Sequence, residues 1–458
     1  MEVLDKESKG QVLVLVALMM VMLLGIAALA IDIGRAYGVK TKLNAAVDAA
    51  SYEAANALAE GSGESTMRAR AQQVAANYFS ANYNSEGFLG ATPSAPNVTV
   101  NRDGNTGAWT VNVTATAAMP TMFAGVLGFR SLNIAAASET VRRTMDMVLV
   151  LDCTNSLQDD FPKVKAKAQN FVENFNTVDD RVGVVAFSTG AIPVVSICGD
   201  YPNKTQNPDA RSLNCGRGFD RAEVQQAIGY LNKSMGTDSE EGLKKGLDQL
   251  NALHTAARSG KRVIVFFSDG SPNTFNGIFS VTGGNREGNL YSGPREGELA
   301  NQLFNSNKYF NEGAPDAYAT VATLPTTDAK GLFSTRNRGN NIRRSISDVI
   351  NEPLEYKCNA NKAARNMAEN VAFEIRRQGI TLFTIGFGLQ LEESEVADVT
   401  CSTHDEKGST ILKRFANTID SDTFNSNQPS GIFCYARTND ELEGCFDQIA
   451  YGILRITK

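Results

Sequence analysis

A chain of 458 residues with 42% apolar and 21% charged residues has enough apolar mass for two or three packed domains. Its formal net charge of −6 lacks the basic excess that a nucleic-acid surface needs, and it suits an anionic lipid surface no better. Two histidines, His254 and His404, and the lack of a Gly-x-x-x-x-Gly-Lys-Ser/Thr loop leave little for a Ser-His-Asp triad, a histidine-rich zinc site or a phosphate cradle.

After a short tail over 1–10, Gln11 to Ile31 is almost wholly apolar. About 20 such residues cross a bilayer core as a helix. Ala28-Leu29-Ala30 has the small-x-small look of a cleavage site, but the run is longer than the roughly 7–15 residues of a secretory signal core, so an uncleaved transmembrane anchor over 11–31 is expected. Lys6 and Lys9 before the span and Arg35, Lys40 and Lys42 after it leave its orientation undecided by charge. From Asp32 to Glu60 the chain continues without proline, and Ala36, Val39, Leu43, Ala46, Ala50 and Ala57 recur at helical steps as a stripe of mostly small residues. The stripe can meet another protein's helix or pack on the next domain.

Gly61-Ser62-Gly63 breaks that helix, and a second helical piece runs from Thr66 to Phe79. The pattern then changes to period two, with Val98 and Val100, an Asp103-Gly104 turn, then Trp109, Val111 and Val113, which predicts a hairpin with one buried face. A short apolar piece over Met122 to Leu127 and an alternating run from Leu132 to Val141 complete a small α+β region, so 32–143 reads as one extended helix plus that region. The Asn97-Val-Thr and Asn112-Val-Thr sequons fall on strand positions and read as chance matches.

From 144 to 458 strands and helices alternate. Strands are expected over 146–151, 182–187, 262–268 and 380–385, with an edge strand from Ile192 to Ser196, and helices near 162–176, 220–232, 239–255, 361–377 and 439–453. This is an α/β pattern, a doubly wound and mainly parallel sheet. Between about 271 and 357 lies an insertion rich in Asn, Gly, Ser and Arg, which follows Asp269 directly and reads equally as a lid or recognition surface and as a tolerated surface insertion. All seven cysteines, Cys153, Cys198, Cys215, Cys358, Cys401, Cys434 and Cys445, fall in this region without a Cys-x-x-Cys pair. Six lie in or beside loops or at element ends, which predicts three disulfides in an oxidising compartment with Cys153 left over. Pairing of neighbours (198 with 215, 358 with 401, 434 with 445) is one of the roughly 15 connectivities open to six cysteines.

Three oxygen-bearing loops accompany these elements: Asp152-Cys153-Thr154-Asn155-Ser156 after one apolar strand, Gly236-Thr237-Asp238 opening a helix, and Ser268-Asp269-Gly270 ending a second apolar strand. In an open α/β sheet such loops converge at the carboxyl ends of the strands. Three hydroxyls and two carboxylates make an all-oxygen nest of the kind Mg²⁺ or Mn²⁺ prefers. The pattern resembles the von Willebrand factor A domain and its metal-ion-dependent adhesion site, Asp-x-Ser-x-Ser followed by a distant Thr and a distant Asp. By that resemblance the metal ligands are Asp152, Thr154, Ser156, Thr237 and Asp269, with Thr154 standing where the family has Ser and Asn155 where Gly is common. The resemblance implies a binding device rather than an enzyme, in which an acidic side chain of a partner completes the metal's shell.

The N-terminal part carries a second resemblance. Gly10 before the apolar span, Ala30-Ile31-Asp32-Ile33-Gly34-Arg35-Ala36-Tyr37 and Lys42-Leu43-Asn44-Ala45-Ala46-Val47-Asp48-Ala49-Ala50 are similar to bacterial pilus-assembly proteins of the TadG-like type. Leu15 stands where processed pilins carry Glu, so pilin-like cleavage and polymerisation are not implied. Together the resemblances imply a non-enzymatic protein of the bacterial inner membrane, single-pass, with its bulk in the periplasm or outside the cytoplasm. It would support assembly or anchoring of a Tad/Flp-type pilus by binding other pilus proteins through the metal. A surface adhesin that binds a host or matrix ligand through the same site is the alternative.

Overall fold

The computed structural model describes residues 7–58, 63–84, 86–104, 107–198, 215–281, 284–291, 302–304, 323–336, 344, 346, 353–392 and 406–455. They fall into two compact units, 1–142 and 143–457.

The first unit is built on a single helix, α1 (Glu7–Ala57). Its first half is apolar on every side and exposed, from Val12 to Ile31, and the helix is long and apolar enough to cross a membrane. Its second half buries one stripe, Val39, Leu43, Ala46, Val47, Ala50, Ala54 and Leu58. That stripe does not wait for another protein: it packs on α2 (Glu64–Asn82), which answers with Met67, Ala71, Ala75 and Phe79, and on strands β3 (Trp109–Pro120) and β4 (Ser131–Arg142). Small side chains let the helix lie close to the sheet, and Ser51 Oγ bonds the hydroxyls of Ser138 and Thr140 there. β3 is central; β4 pairs along one edge, while β1 (Thr92–Pro93) and β2 (Asn97–Arg102) share the other. Trp109 is buried beneath the guanidinium groups of Arg68 and Arg102, 5.6 and 5.8 Å from its ring centre.

The second unit is a six-stranded sheet between two layers of helices. Its strands are β5 (Met145–Asp152), β6 (Arg181–Phe187), β7 (Ala191–Val195), β8 (Lys261–Ser268), β12 (Thr381–Phe387) and β13 (Phe433–Ala436). They lie in the order β13-β12-β8-β5-β6-β7, all parallel except the antiparallel edge strand β7. Both faces of β5 are buried, which is why it reads as a continuous apolar run rather than an alternating one. Met147, Leu149 and Leu151 face α3 (Phe161–Val172), α4 (Arg221–Gly229) and α8 (Asn439–Arg455). Val148 and Val150 face α5 (Ser239–Ala252), α6 (Pro353–Arg377) and α7 (Gly408–Ala416). Each such side chain contributes about 1.5–3 kcal/mol by leaving water.

At the amino ends of the strands Arg181 is buried. It donates to Asp146 Oδ1 at 2.8 Å and to the carbonyls of Gly216, Cys215 and Ala257. Among the described residues, disulfides join the neighbour pairs Cys198–Cys215 and Cys434–Cys445, with Cα separations of 5.0 and 5.4 Å. Cys358 is also disulfide-bonded; the expected 358–401 pairing, like His404, lies outside the described residues. Cys153 is free and buried.

The insertion is not a structureless loop where it is described. β9 (Thr274–Val281), β10 (Gly284–Tyr291) and β11 (Gln302–Phe304) form a separate antiparallel sheet. Phe275, Phe279, Leu290, Leu303 and Leu324 bury a small core with Ala360, Ala363, Ala364 and Met367 of α6. Helix α6 starts several residues earlier than its apolar periodicity suggests.

Candidate metal centre

The sheet reverses its winding direction at β5. From β5 the chain goes to β6 and β7 on one side, then crosses to β8, β12 and β13 on the other. Carboxyl-terminal loops part at such a point and leave a crevice. Asp152 ends β5, and Asp269 follows the last residue of β8, the neighbouring strand.

Four of the five residues singled out from the sequence are joined by hydrogen bonds. The Thr154 and Ser156 hydroxyls lie 2.7 Å apart, and both donate to Asp269 Oδ1, at 3.1 and 3.0 Å. Asp152 Oδ1 accepts the backbone N–H of Thr154 at 3.0 Å, and its Oδ2 accepts the Ser268 hydroxyl at 2.6 Å. Thr154 therefore delivers its hydroxyl to the cluster although the common residue there is Ser. The fifth, Thr237, borders the same turn: its Oγ1 lies 3.5 Å from the place a Cβ on Gly270 would take.

The first loop is held by its neighbours on both sides. Cys153 N–H donates to Phe187 O, Ser234 N–H donates to Cys153 O, and Asn155 N–H donates to Ser234 O. Cys153 thus turns its side chain into the core, leaving the residues before and after it for the site. Thr237 is fixed by its N–H to Asn273 Oδ1 at 2.7 Å, while Asn273 N–H donates back to Thr237 O. Asp238 caps α5 by accepting Glu241 N–H. Gly236 before it has φ +77°, and a Cβ there would meet Thr274 Oγ1 at 2.6 Å. Gly236→Ala is expected to cost about 1–3 kcal/mol in equilibrium unfolding, from the left-handed backbone and the clash together. A neutral result would mean that this turn is slack.

Ser268 and Asn273 were not singled out as site residues. Ser268 lies inside the Ser-Asp-Gly motif, so the sequence held its signal; Asn273 lies in a polar stretch with nothing to distinguish it.

Asp152, Thr154, Thr237 and Asp269 are buried, and Ser156 and Asn155 are exposed, so the cluster opens to solvent on the Ser156 side. Burial, and then the charge of Asp269, push the Asp152 carboxyl well above the usual carboxylate range. Burial likewise pushes Asp269 up to about 6, against the hydrogen bonds from Ser156 and Thr154. Among the described residues no lysine or arginine pairs with either. Two buried carboxylates and three hydroxyls, with no cation among the described residues to balance them, make a donor set that suits a hard divalent ion.

Two family matches coincide with these elements. Residues 146–283 match the von Willebrand factor type A domain, and residues 10–57 match the putative Flp pilus-assembly TadE/G-like family. The chain thus carries a TadE/G-like segment along α1 and a von Willebrand factor type A domain whose sheet holds the oxygen cluster. Solved structures with a similar arrangement include the pilus adhesin SpaC from Lactobacillus rhamnosus GG, at 16% identity and a TM-score of 0.39 over 79% of this chain. The chain spans 34% of that adhesin's length. The vWF domain of the type V pili tip protein Mfa5 from Porphyromonas gingivalis matches at 16% identity and a TM-score of 0.36, over 69% of this chain and 97% of that domain. Proximal thread matrix protein 1 from the mussel byssus, with a zinc-occupied MIDAS motif, matches at 13% identity and a TM-score of 0.32, over 67% of this chain and 47% of its own. Comparison with curated protein sequences gave no match.

Proposed function

We propose that this is a membrane-anchored, non-enzymatic envelope protein that supports assembly or anchoring of a Tad/Flp-type pilus through metal-dependent protein binding. The reading rests above all on one observation: Thr154 and Ser156 hydroxyls gathered on the Asp269 carboxylate, with Asp152 beside them, at the winding reversal of the sheet. Asp152, Thr154, Ser156, Thr237 and Asp269 would hold Mg²⁺ or Mn²⁺. When bound, the ion supplies a positive charge at which an acidic side chain of a partner can complete the shell.

The chain's own residues prepare that contact. Ser268 and the Thr154 N–H orient Asp152, the Asn273 amide fixes the Thr237 backbone, and the exposed side at Ser156 leaves room for the partner. Helix α1, matched by the TadE/G-like family, would anchor the protein in the inner membrane with the disulfide-bearing unit outside the cytoplasm. The boundaries proposed are a tail over 1–10, a span over 11–31, an extended helix with a small α+β region over 32–143, and the A-type domain with its insertion over 144–458.

The test is capture of partners from envelope extract by the full chain in detergent, with Mg²⁺ or with EDTA. Pilus components retained only with Mg²⁺ are expected. Capture of the same components in EDTA would remove the metal from the mechanism, and capture of host or matrix components instead would favour an adhesin.

A further inference from the structure

The carboxyl-terminal end of the apolar run is tied to a loop far along the chain. Asp32 is the first charged residue after Val12–Ile31, and its side chain is buried. Its carboxylate accepts the backbone N–H groups of Met122, Phe123 and Ala124, at 2.9, 2.9 and 2.8 Å. One turn further along α1, Arg35 donates to the carbonyls of Pro120 and Leu89, at 3.2 and 2.7 Å, and lies 3.6 Å from Asp32. These contacts clamp the end of the β3–β4 hairpin, with its short 3₁₀ turn Ala124–Leu127, to α1 at the level of Asp32.

That hairpin end exposes what a water-facing turn would bury. Met122 is 63% exposed, Phe123 42%, Val126 90% and Phe129 63%. Four large apolar side chains within eight residues are a contact surface rather than scattered exceptions. Arg130, next in the chain, is exposed as well, and its guanidinium suits a lipid phosphate. Leu29, Ile31 and Ile33 of α1 are exposed at the same level.

We propose that the turn Thr121–Arg130 is a foot that rests in the interfacial layer of the bilayer that α1 crosses, on the leaflet that Asp32 reaches. The inference depends on the reading of α1 as a membrane span. A helix rises about 1.5 Å per residue, so Val12–Ile31 covers about 30 Å, the thickness of the hydrocarbon core. Asp32 then emerges at the headgroup boundary, and the clamp brings the foot to that depth. Aliphatic and aromatic side chains beside an arginine are the composition of an interfacial segment. The occupant is therefore lipid, continuous with the lipid around the span. Because Asp32 and Arg35 make the foot and helix one body, the second contact sets the tilt and rotation of α1 in the membrane, which a lone apolar helix leaves open.

The experiment uses the full chain in nanodiscs of phosphatidylcholine and phosphatidylglycerol, with a nitrobenzoxadiazole label at Val126→Cys. A second variant, Leu23→Cys, reports on the span; Cys153, the free thiol among the described residues, is buried and escapes labelling. Quenching of the Val126 label by about twofold or more is expected from lipids spin-labelled near the headgroup, and less from lipids labelled at the chain end. The Leu23 label should show the opposite preference. An unquenched Val126 label with a quenched Leu23 label overturns the foot and leaves the anchor standing. Two unquenched labels overturn both. Quenching at Val126 alone keeps the lipid contact and removes the span. Phe129→Ser added to Val126→Cys should weaken quenching while circular dichroism stays unchanged; unaltered quenching would overturn the role of the apolar tip.

Discussion

Asp269→Ala is expected to abolish divalent-cation binding while the fold survives. The loss in Mg²⁺ or Mn²⁺ affinity should exceed the roughly 10–100-fold that removal of an outer-shell partner costs, because a charged ligand is taken away. In the wild-type protein, cation at a hundredfold excess over Kd adds about 2.7 kcal/mol, or about 5 °C in Tm for a domain of this size. The variant should gain nothing from the same addition. In EDTA at neutral pH it should be as stable as the wild type or more so. Burial pushes Asp269 up to about 6 and holds Asp152 well above the usual carboxylate range, with Asp269's charge adding to the latter, whereas both titrate near 3.8 when unfolded. The folded state therefore holds more protons than the unfolded from about pH 4 upward, and stability falls as pH rises through about 6 with Asp269, the Asp152 carboxyl carrying the loss on above that. Acidification from pH 7 to 5 should accordingly stabilise the wild type in EDTA and weaken its cation binding, and the variant should lose much of the first effect. Thermal denaturation with and without Mg²⁺ at the two pH values measures all of this. A variant that unfolds in EDTA yet keeps the cation-dependent shift would remove Asp269 from the ligand set.

Much of this site was legible because its grammar is local. Val148–Leu151 and Val263–Phe267 are continuous apolar runs, and a run that ends in Asp or Ser-Asp-Gly puts oxygen at a strand's carboxyl end whatever the rest of the fold does. The spacing within Asp152-Cys153-Thr154-Asn155-Ser156 suffices to aim alternate residues at one place, and Cys153 falls on the core side, as its apolar character would suggest.

Other parts depend on partners that no local pattern names. β13 has only four residues and α7 only nine, shorter than the runs from which periodicity separates helix from strand; β13 pairs with β12, and α7 packs on β12 and α6. The insertion reads as polar loop because its sheet buries amides. Asn276 Nδ2 donates to Asn289 Oδ1, and Asn289 Nδ2 donates to Asp238 Oδ2 at 2.5 Å. Buried Asn looks like solvent-facing Asn until its partner is known. The same holds for Asp32, whose partners lie about ninety residues on. Long-range polar satisfaction is invisible to periodicity, and here it decides where the insertion and the hairpin end are held.

Lys244→Met is expected to cost about 3–5 kcal/mol in chemical unfolding of the second unit, the range for removing one partner from a buried ionic cluster. Lys244 is buried in α5, 2.9 Å from Asp328, 3.2 Å from Glu241 and 3.5 Å from Glu240. Burial alone would lower its pKa, but Glu240, Glu241 and Asp328 outweigh it and raise it, so the ammonium stays charged. Glu240 is pushed up to about 8 by burial first, despite Lys244, and with Glu241 and Asp328 adding to the rise. With Glu240 pushed toward its neutral form, the partner that ties the charged lysine to the insertion is Asp328. Asp328 belongs to the insertion, where its carboxylate also accepts the N–H groups of Leu332 and Phe333, at 2.6 and 3.0 Å. Lys244 is therefore a pin between α5, the helix that Thr237 precedes, and the insertion that follows Asp269. Without it, Asp328 must either stay buried and uncompensated or leave, and the 323–336 segment should become protease-sensitive before the sheet unfolds. Combining Lys244→Met with Asp328→Asn should recover part of the loss, a coupling of about 1 kcal/mol or more, because the variant lacking both charges no longer strands Asp328. Strictly additive losses, with an unchanged cleavage pattern, would show that the insertion is held by its apolar core on α6 alone. In that case changes in the insertion would have no ionic route to α5 and the Thr237 loop.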